Sequence, residues 1–345
     1  MRRVAAAVRT ALWSGPETRL RAFWRLAVGG AAVVVLSEVV GTAAVAAGRV
    51  GAGLPALLHA CWAVVVAAVA LAAAVGGTCA IVWVVDGRHL ADLGLGWTPT
   101  WRREAAVGAA GGATMPATVV AVALGLGLGT VTGTLTNRTG TFALTDEHLL
   151  VNAAFWLVVF LGVAFAEEVL FRGFVLVNVA EGVRGRTPDA TVATGVGALA
   201  SAVAGGLVSV GSPGTTALGL ATAIGLGLVL AATVAVTGRL ALAVGLHAAW
   251  YATLGVGFGV PVGGLDTGVA LVDVDLSGPA VLTGGAVGPA AGLLAAAGLV
   301  VGVAGLGWWL WARDGGLAVD ESIARPDLRR GERSTVADGD RPTAD

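Results

Sequence analysis

Apolar residues run along this chain in blocks of twenty or more, separated by short polar stretches. A helix rises 1.5 Å per residue, so about 20 apolar residues are needed to cross a hydrocarbon layer of about 30 Å. Eight stretches meet that length: 26–47, 57–85, 105–128, 149–178, 190–211, 216–236, 239–259 and 288–311. The joints between the fifth, sixth and seventh are so short that one of these three is a candidate re-entrant segment. The pattern predicts an all-α fold, a polytopic transmembrane helix bundle of about 8 spans. Glycine recurs at helix-packing intervals in LGLGLGT (124–130) and TAIGLGLVL (222–230), where small residues let backbones approach in lipid. These runs are not phosphate loops, because no strand precedes them and no lysine follows.

Composition narrows the class. The chain is 56% apolar and 12% charged, against about a quarter charged for soluble domains. A soluble form would leave large adhesive patches, so an integral, multi-pass protein of the cytoplasmic membrane is expected, with membrane lipids as its surroundings. There is no signal for nucleic acid. The chain has no lysine, so orientation rests on arginine. Twelve arginines fall on the N-terminal side of the predicted bundle before the tail, and only Arg49 and Arg138 on the other. Both N- and C-termini are therefore expected to be cytoplasmic. The loop 260–287 carries Asp266, Asp273 and Asp275 but no arginine, which suits the outer face. Asn137-Arg138-Thr139, on that same side, has the pattern of a glycosylation acceptor.

Three regions follow: a basic cytoplasmic segment at 1–25, the transmembrane bundle at 26–311, and a polar tail at 312–345 whose lack of apolar periodicity predicts disorder. Trp308, Trp309 and Trp311 stand where the last helix should leave the bilayer. Cys61 and Cys79 are too few for a disulfide framework and lack metal-site spacing, so they read as small buried thiols.

Against this apolar background one stretch is out of place. FAEEVLFRGF (165–174) sets Glu167, Glu168 and Arg172 inside the fourth span. A charge at the centre of a membrane helix costs at least ~2.5–3.5 kcal/mol. Glu168 and Arg172 are one helical turn apart and can pair. Glu167 lies about 100° around the helix and needs a polar cavity, a metal or a proton. Such a carboxylate can serve as general base, metal ligand or proton carrier, or the group can be a structural ion pair. Of four histidines only His247 is deep in a span, about 12 Å in from Arg239 at helical rise. Glu38 in the first span is a second intramembrane acid, expected to find a hydrogen-bond partner within the bundle.

EEVLFRG, at 167–173, resembles the Glu-Glu-x-x-x-Arg motif of the CAAX protease and bacteriocin-processing (CPBP) family of intramembrane metalloproteases, typified by the Rce-type prenyl protease. The similarity extends over about 80–310, where DGRHLADLGLGW (86–97) resembles the cytoplasmic segment preceding the family's core. The resemblance implies that Glu167 activates water, that Glu168 and Arg172 complete the first motif, and that His247 is the histidine of the third motif. It further implies zinc or another divalent metal on Glu167 and His247. Two positions depart from the family pattern: Ser209 stands where the second-motif histidine belongs, with Gly205 in place of its phenylalanine, and Tyr251 stands where the third motif has asparagine.

The function expected from the resemblance is an intramembrane metalloendopeptidase. Glu-activated water would attack a peptide bond of a membrane-associated peptide or protein near the cytoplasmic membrane face, with activity impaired by the two replacements. The alternative is a catalytically inactive relative that serves as a membrane peptide-binding scaffold. A proton-coupled transporter is a third reading; no inverted repeat or pair of broken helices supports it.

Overall fold

A computed structural model describes residues 11–14, 17–141, 148–211 and 214–325. Among these, seven helices are long and apolar enough to cross a membrane. They are α1 (Ala22–Val50), α2 (Ala56–Asp86), α3 (Pro99–Gly125), α4 (Leu149–Arg184), α5 (Ala190–Val208), α6 (Ala217–Thr237) and, after the shorter α7 (Ala241–Gly257), α8 (Ala295–Asp314). The bundle is all-α in its spanning part, as the blocks predict. Helix α7 joins a 12-residue α-helix to a 5-residue π-helical end, giving about 26 Å at 1.5 Å per residue. That makes it the shortest of the eight.

Helix ends follow local chemistry more than hydropathy. Helix α3 starts at Pro99, because the Thr98 hydroxyl caps the Trp101 N–H and proline suits the first helical position. It thus carries Arg102, Arg103 and Glu104 in its first turns, outside the apolar block. Helix α6 is capped by Thr216 and ends at Gly238, which adopts the left-handed conformation. Helix α7 packs most closely on α3. A methyl group on Gly108 or Gly112 would overlap the Leu242 and Leu246 carbonyl oxygens, and one on Gly245 would overlap the Ala105 carbonyl oxygen. Three glycines therefore set how near these helices lie, and they fix the depth of His247, the next residue after Leu246.

One end of the bundle gathers the arginines. Glu104, buried at the start of α3, accepts both Nε and Nη2 of Arg239 (2.7 and 2.6 Å) and Nη1 of Arg313 (2.5 Å). A second cluster there holds Asp86 and Glu181 with Arg19, Arg25 and Arg88. Arg25 is 1% exposed and Asp86 is fully buried, so the basic N-terminal segment is, from Glu17 on, tied into the bundle. The tail differs from expectation as well. Residues 321–324 form a 3-10 turn, the Asp320 N–H bonds the Ala235 carbonyl, and Ile323 and Ala324 are buried against α4, α5 and α6. Two apolar side chains and a backbone bond dock this part although the sequence around it is polar. Residues 326–345 lie outside the described residues, as do 1–10.

At the opposite end an antiparallel hairpin-like pair covers the bundle: β1 (Gly129–Asn137) pairs with β2 (Val269–Leu276), with a register shift between Val131 and Gly133. The Arg138 guanidinium pairs with Asp266, and the Asn152 amide donates to the Asn137 side chain at 2.9 Å. Cys61 is exposed and Cys79 half-buried, so Cys61 is not the buried thiol expected.

Candidate active site

Helix α4 carries the two acids at the end of its regular part. Leu149–Glu168 is α-helical; Val169–Leu176 then widens into a π-helix before Val177–Arg184 returns to α. Such wide turns inside α-helices are rare and frequently fall at functional positions. Helix α7 does the same, becoming π-helical at Thr253–Gly257, two residues beyond Tyr251. Both site-bearing helices therefore change pitch beside their polar side chains.

The pairing expected between Glu168 and Arg172 is present, with Arg172 Nη1 donating to Glu168 Oε1 at 3.0 Å. Arg172 also donates through Nη2 to the Gly227 carbonyl on α6 at 3.0 Å. Residue numbers alone gave no pointer to that contact. The same Glu168 oxygen lies 2.7 Å from His247 Nδ1. A carboxylate accepts, so Nδ1 carries a proton in this contact. Nε2 is 3.6 Å from Glu167 Oε2. Glu168 is fully buried, whereas the Glu167 side chain is 26% exposed. That contrast assigns the roles: Glu168 is held inside as the hub between Arg172 and His247, and Glu167 faces the open space.

That space is a cavity of about 310 Å³ bounded by α4, α5, α6 and α7, and it brings Glu167, Arg172, Ser209, His247 and Tyr251 together. By residue count along their helices Ser209 is late in α5 and His247 early in α7. Both line the cavity, whose rim, its lining at the arginine-poor end, is Val208, Ser209, Val262, Gly263 and Leu265. The Ser209 hydroxyl is turned back to its own helix, donating to the Gly206 carbonyl at 2.5 Å. Gly205 has Phe171 of α4 as its aromatic neighbour, with a methyl at 205 falling 3.5 Å from that ring. Tyr251, one turn beyond His247, stacks obliquely on the imidazole with ring centres 4.5 Å apart, and it lines the same cavity as Glu167.

The rim belongs to the arginine-poor end, beside the β1–β2 pair. Glu38 also departs from expectation, lying exposed on α1 without a hydrogen bond or ion pair among the described residues.

A catalytic zinc takes three protein ligands and a water. Among the described residues no group of three or more His, Cys, Asp or Glu side chains is placed to hold a metal ion. Glu167 and His247 are two donors, and the Ser209 hydroxyl is engaged with backbone. The donor set does not fit a catalytic zinc.

Residues 149–253 match the family model described as type II CAAX prenyl endopeptidase Rce1-like. This core is Rce1-like. The matched segment runs from the start of α4 into the end of α7 and contains Glu167, Glu168, Arg172, Ser209, His247 and Tyr251. It is narrower than the 80–310 over which the sequence resemblance was drawn. Neither the curated proteins nor the solved structures yield a match to the chain. The segment 149–253 is thus similar to the type II CAAX prenyl endopeptidase family, and the seven long apolar helices agree with an integral membrane protein.

Proposed function

We propose that this Rce1-like protein hydrolyses a peptide bond inside the bilayer, with Glu167 as general base and without a metal-dependent step. The observation that carries this reading is the division of labour between neighbouring acids: Glu168 held inside, one of its oxygens shared by Arg172 and His247, and Glu167 turned to the cavity. A water molecule between Glu167 and His247 Nε2 would give a proton to the carboxylate as its oxygen attacks the carbonyl carbon. The Glu167 proton then passes to the leaving nitrogen as the C–N bond breaks, leaving a carboxylic acid and an amine. His247 accepts a hydrogen bond from the attacking water, because its other nitrogen is held protonated against Glu168. Arg172 is the buried partner of Glu168 in a dry setting, and removing one member of such a pair leaves the other uncompensated. The substrate class is a membrane-associated peptide or protein, admitted past the apolar rim. The host membrane is the cytoplasmic membrane.

The experiment is hydrolysis of a quenched fluorescent membrane peptide by protein reconstituted in liposomes, in the presence of a chelator. Glu167→Gln should lower turnover by ~10²–10⁴-fold while peptide binding is kept. A second reading, a binding scaffold without hydrolysis, is favoured by the Ser209 hydroxyl being spent on the Gly206 carbonyl. It requires equal peptide binding by both forms and cleavage by neither.

A further inference from the structure

A carboxyl group in the hydrocarbon layer is costly unless something polar meets it, and α1 carries one. Arg25 sits in the buried cluster at the arginine-rich end, and Arg49 lies in the last turn of the helix. At 1.5 Å per residue Glu38 is about 20 Å from the first and about 16 Å from the second. Its side chain is too short to reach either end. Helix α1 seats on the bundle by one side only. A methyl group on Gly29 would overlap the Phe174 ring, and one on Gly77 of α2 would overlap the Leu36 side chain. At 3.6 residues per turn Gly29 and Leu36 project roughly 160–180° away from Glu38. The acid therefore faces outward, opposite the seat.

The surface around it suits a helix contact. Its neighbours one and two turns away are Ala31, Val34, Val35, Gly41, Thr42 and Val45, and each is exposed. All are small or β-branched, and a methyl group placed on Gly41 would meet open space. Small residues let helices approach closely in lipid, where polar side chains then bond across the gap. Neither Glu38 nor Thr42, one turn apart, makes a side-chain hydrogen bond among the described residues. The face holds an acceptor and a donor, and its own chain meets neither.

We propose that this face of α1 is a homodimer interface, closed by the same face of a second copy of the chain. Copies inserted in one orientation hold Glu38 at one depth, because Arg25 and Arg49 bracket it alike in each. A two-fold axis along the membrane normal then sets Glu38 and Thr42 of one copy against Thr42 and Glu38 of the other. Each Thr42 hydroxyl donates to the facing carboxyl group, and both acids are withdrawn from lipid. A helix of unrelated sequence would need its own donor at this depth; a second copy supplies one. Helix α1 lies outside the matched segment 149–253 and lines no part of the cavity. The contact therefore leaves Glu167 and His247 untouched and does not depend on the hydrolytic reading.

The test counts copies of full-length protein, each bearing one fluorophore, by stepwise photobleaching in dilute vesicles. The unaltered chain should bleach in two steps. Glu38→Leu should weaken dimerisation ~5–30-fold, the range for one polar contact between membrane helices. Glu38→Gln, which keeps a hydrogen-bonding side chain, should retain most of the affinity. Gly41→Leu fills space that is open in the single chain, so it should break the dimer with helix content by circular dichroism unchanged. With Cys61 and Cys79 replaced by alanine, Ala31→Cys and Val45→Cys should form disulfides between copies under mild oxidation. Ala43→Cys, exposed but about 140° around the helix, should not. One-step bleaching at every protein-to-lipid ratio, or equal dimerisation by Glu38→Leu, overturns the proposal. So does cross-linking of Ala31→Cys in native membranes only to a chain of different mass, which would assign the face to another membrane protein.

Discussion

At the scale of single residues, the energetics turn on Glu168. It is fully buried and has one oxygen shared between Arg172 and His247. Arg172→Leu strands that charge, and removing one partner of a buried pair typically costs 3–5 kcal/mol. We expect a correspondingly large fall in unfolding free energy for Arg172→Leu in detergent titrations. Replacing the whole pair, Glu168→Gln with Arg172→Leu, should recover part of the loss while activity stays low, because His247 then lacks its orienting carboxylate. Equal losses for the single and double changes would refute the hub assignment. Glu167, Glu168, Arg172 and His247 were legible in the sequence because each is an expensive exception in an apolar run. The contact of Arg172 with the Gly227 carbonyl was not, since any backbone carbonyl looks alike in a sequence. The burial of Arg19 and Arg25 was hidden for a related reason: a basic N-terminal segment reads as solvated until its acidic partners, Asp86 and Glu181, are brought beside it by folding.

At the scale of elements, His247 is positioned by glycines rather than by polar bonds to its own helix. Gly108, Gly112 and Gly245 let α3 and α7 touch through backbone. Gly112→Leu should force the two apart and carry the imidazole away from Glu168. The expected result is a loss of activity out of proportion to the overpacking penalty of ~1–3 kcal/mol, read by comparing turnover with thermal unfolding. Gly305→Ala, with open space around it in α8, should change neither. All eight apolar blocks became helices, seven of them long enough to span, with 239–259 yielding the shorter α7. The β1–β2 pair was missed. Its signal was present in the alternating Thr-Val-Thr of 130–132 and Val-Asp-Val-Asp of 272–275, but a pairing across more than a hundred residues has no local marker. The docked turn at 321–324 escaped notice because only Ile323 and Ala324 bury, too few positions to make a period.

At the scale of the whole molecule, charge and opening are segregated. Arginines cluster at the end where α2, α4, α6 and α8 finish, whereas the cavity rim, the β1–β2 pair and Asp266 lie at the other. If the arginine-rich end is cytoplasmic, as the positive-inside tendency favours, the rim residues lie toward the opposite face. With Cys61 and Cys79 replaced by alanine, Val210→Cys beside the rim should react with a membrane-impermeant maleimide in intact cells. Arg186→Cys should react only after permeabilisation. The reverse pattern would place the rim in the cytoplasm and invalidate the arginine-based orientation.

The central claim is that an acid of α4 and an imidazole of α7 share one water-accessible cavity within the bilayer. It is tested most directly by joining them. In the same cysteine-free background, Glu167→Cys combined with His247→Cys should be bridged within one chain by the shortest bifunctional thiol reagents. Addition of excess cavity-binding phosphinate peptide should slow the reaction. Failure of any short reagent to link the pair, while a longer one does so at an undiminished rate with the peptide present, would contradict the account.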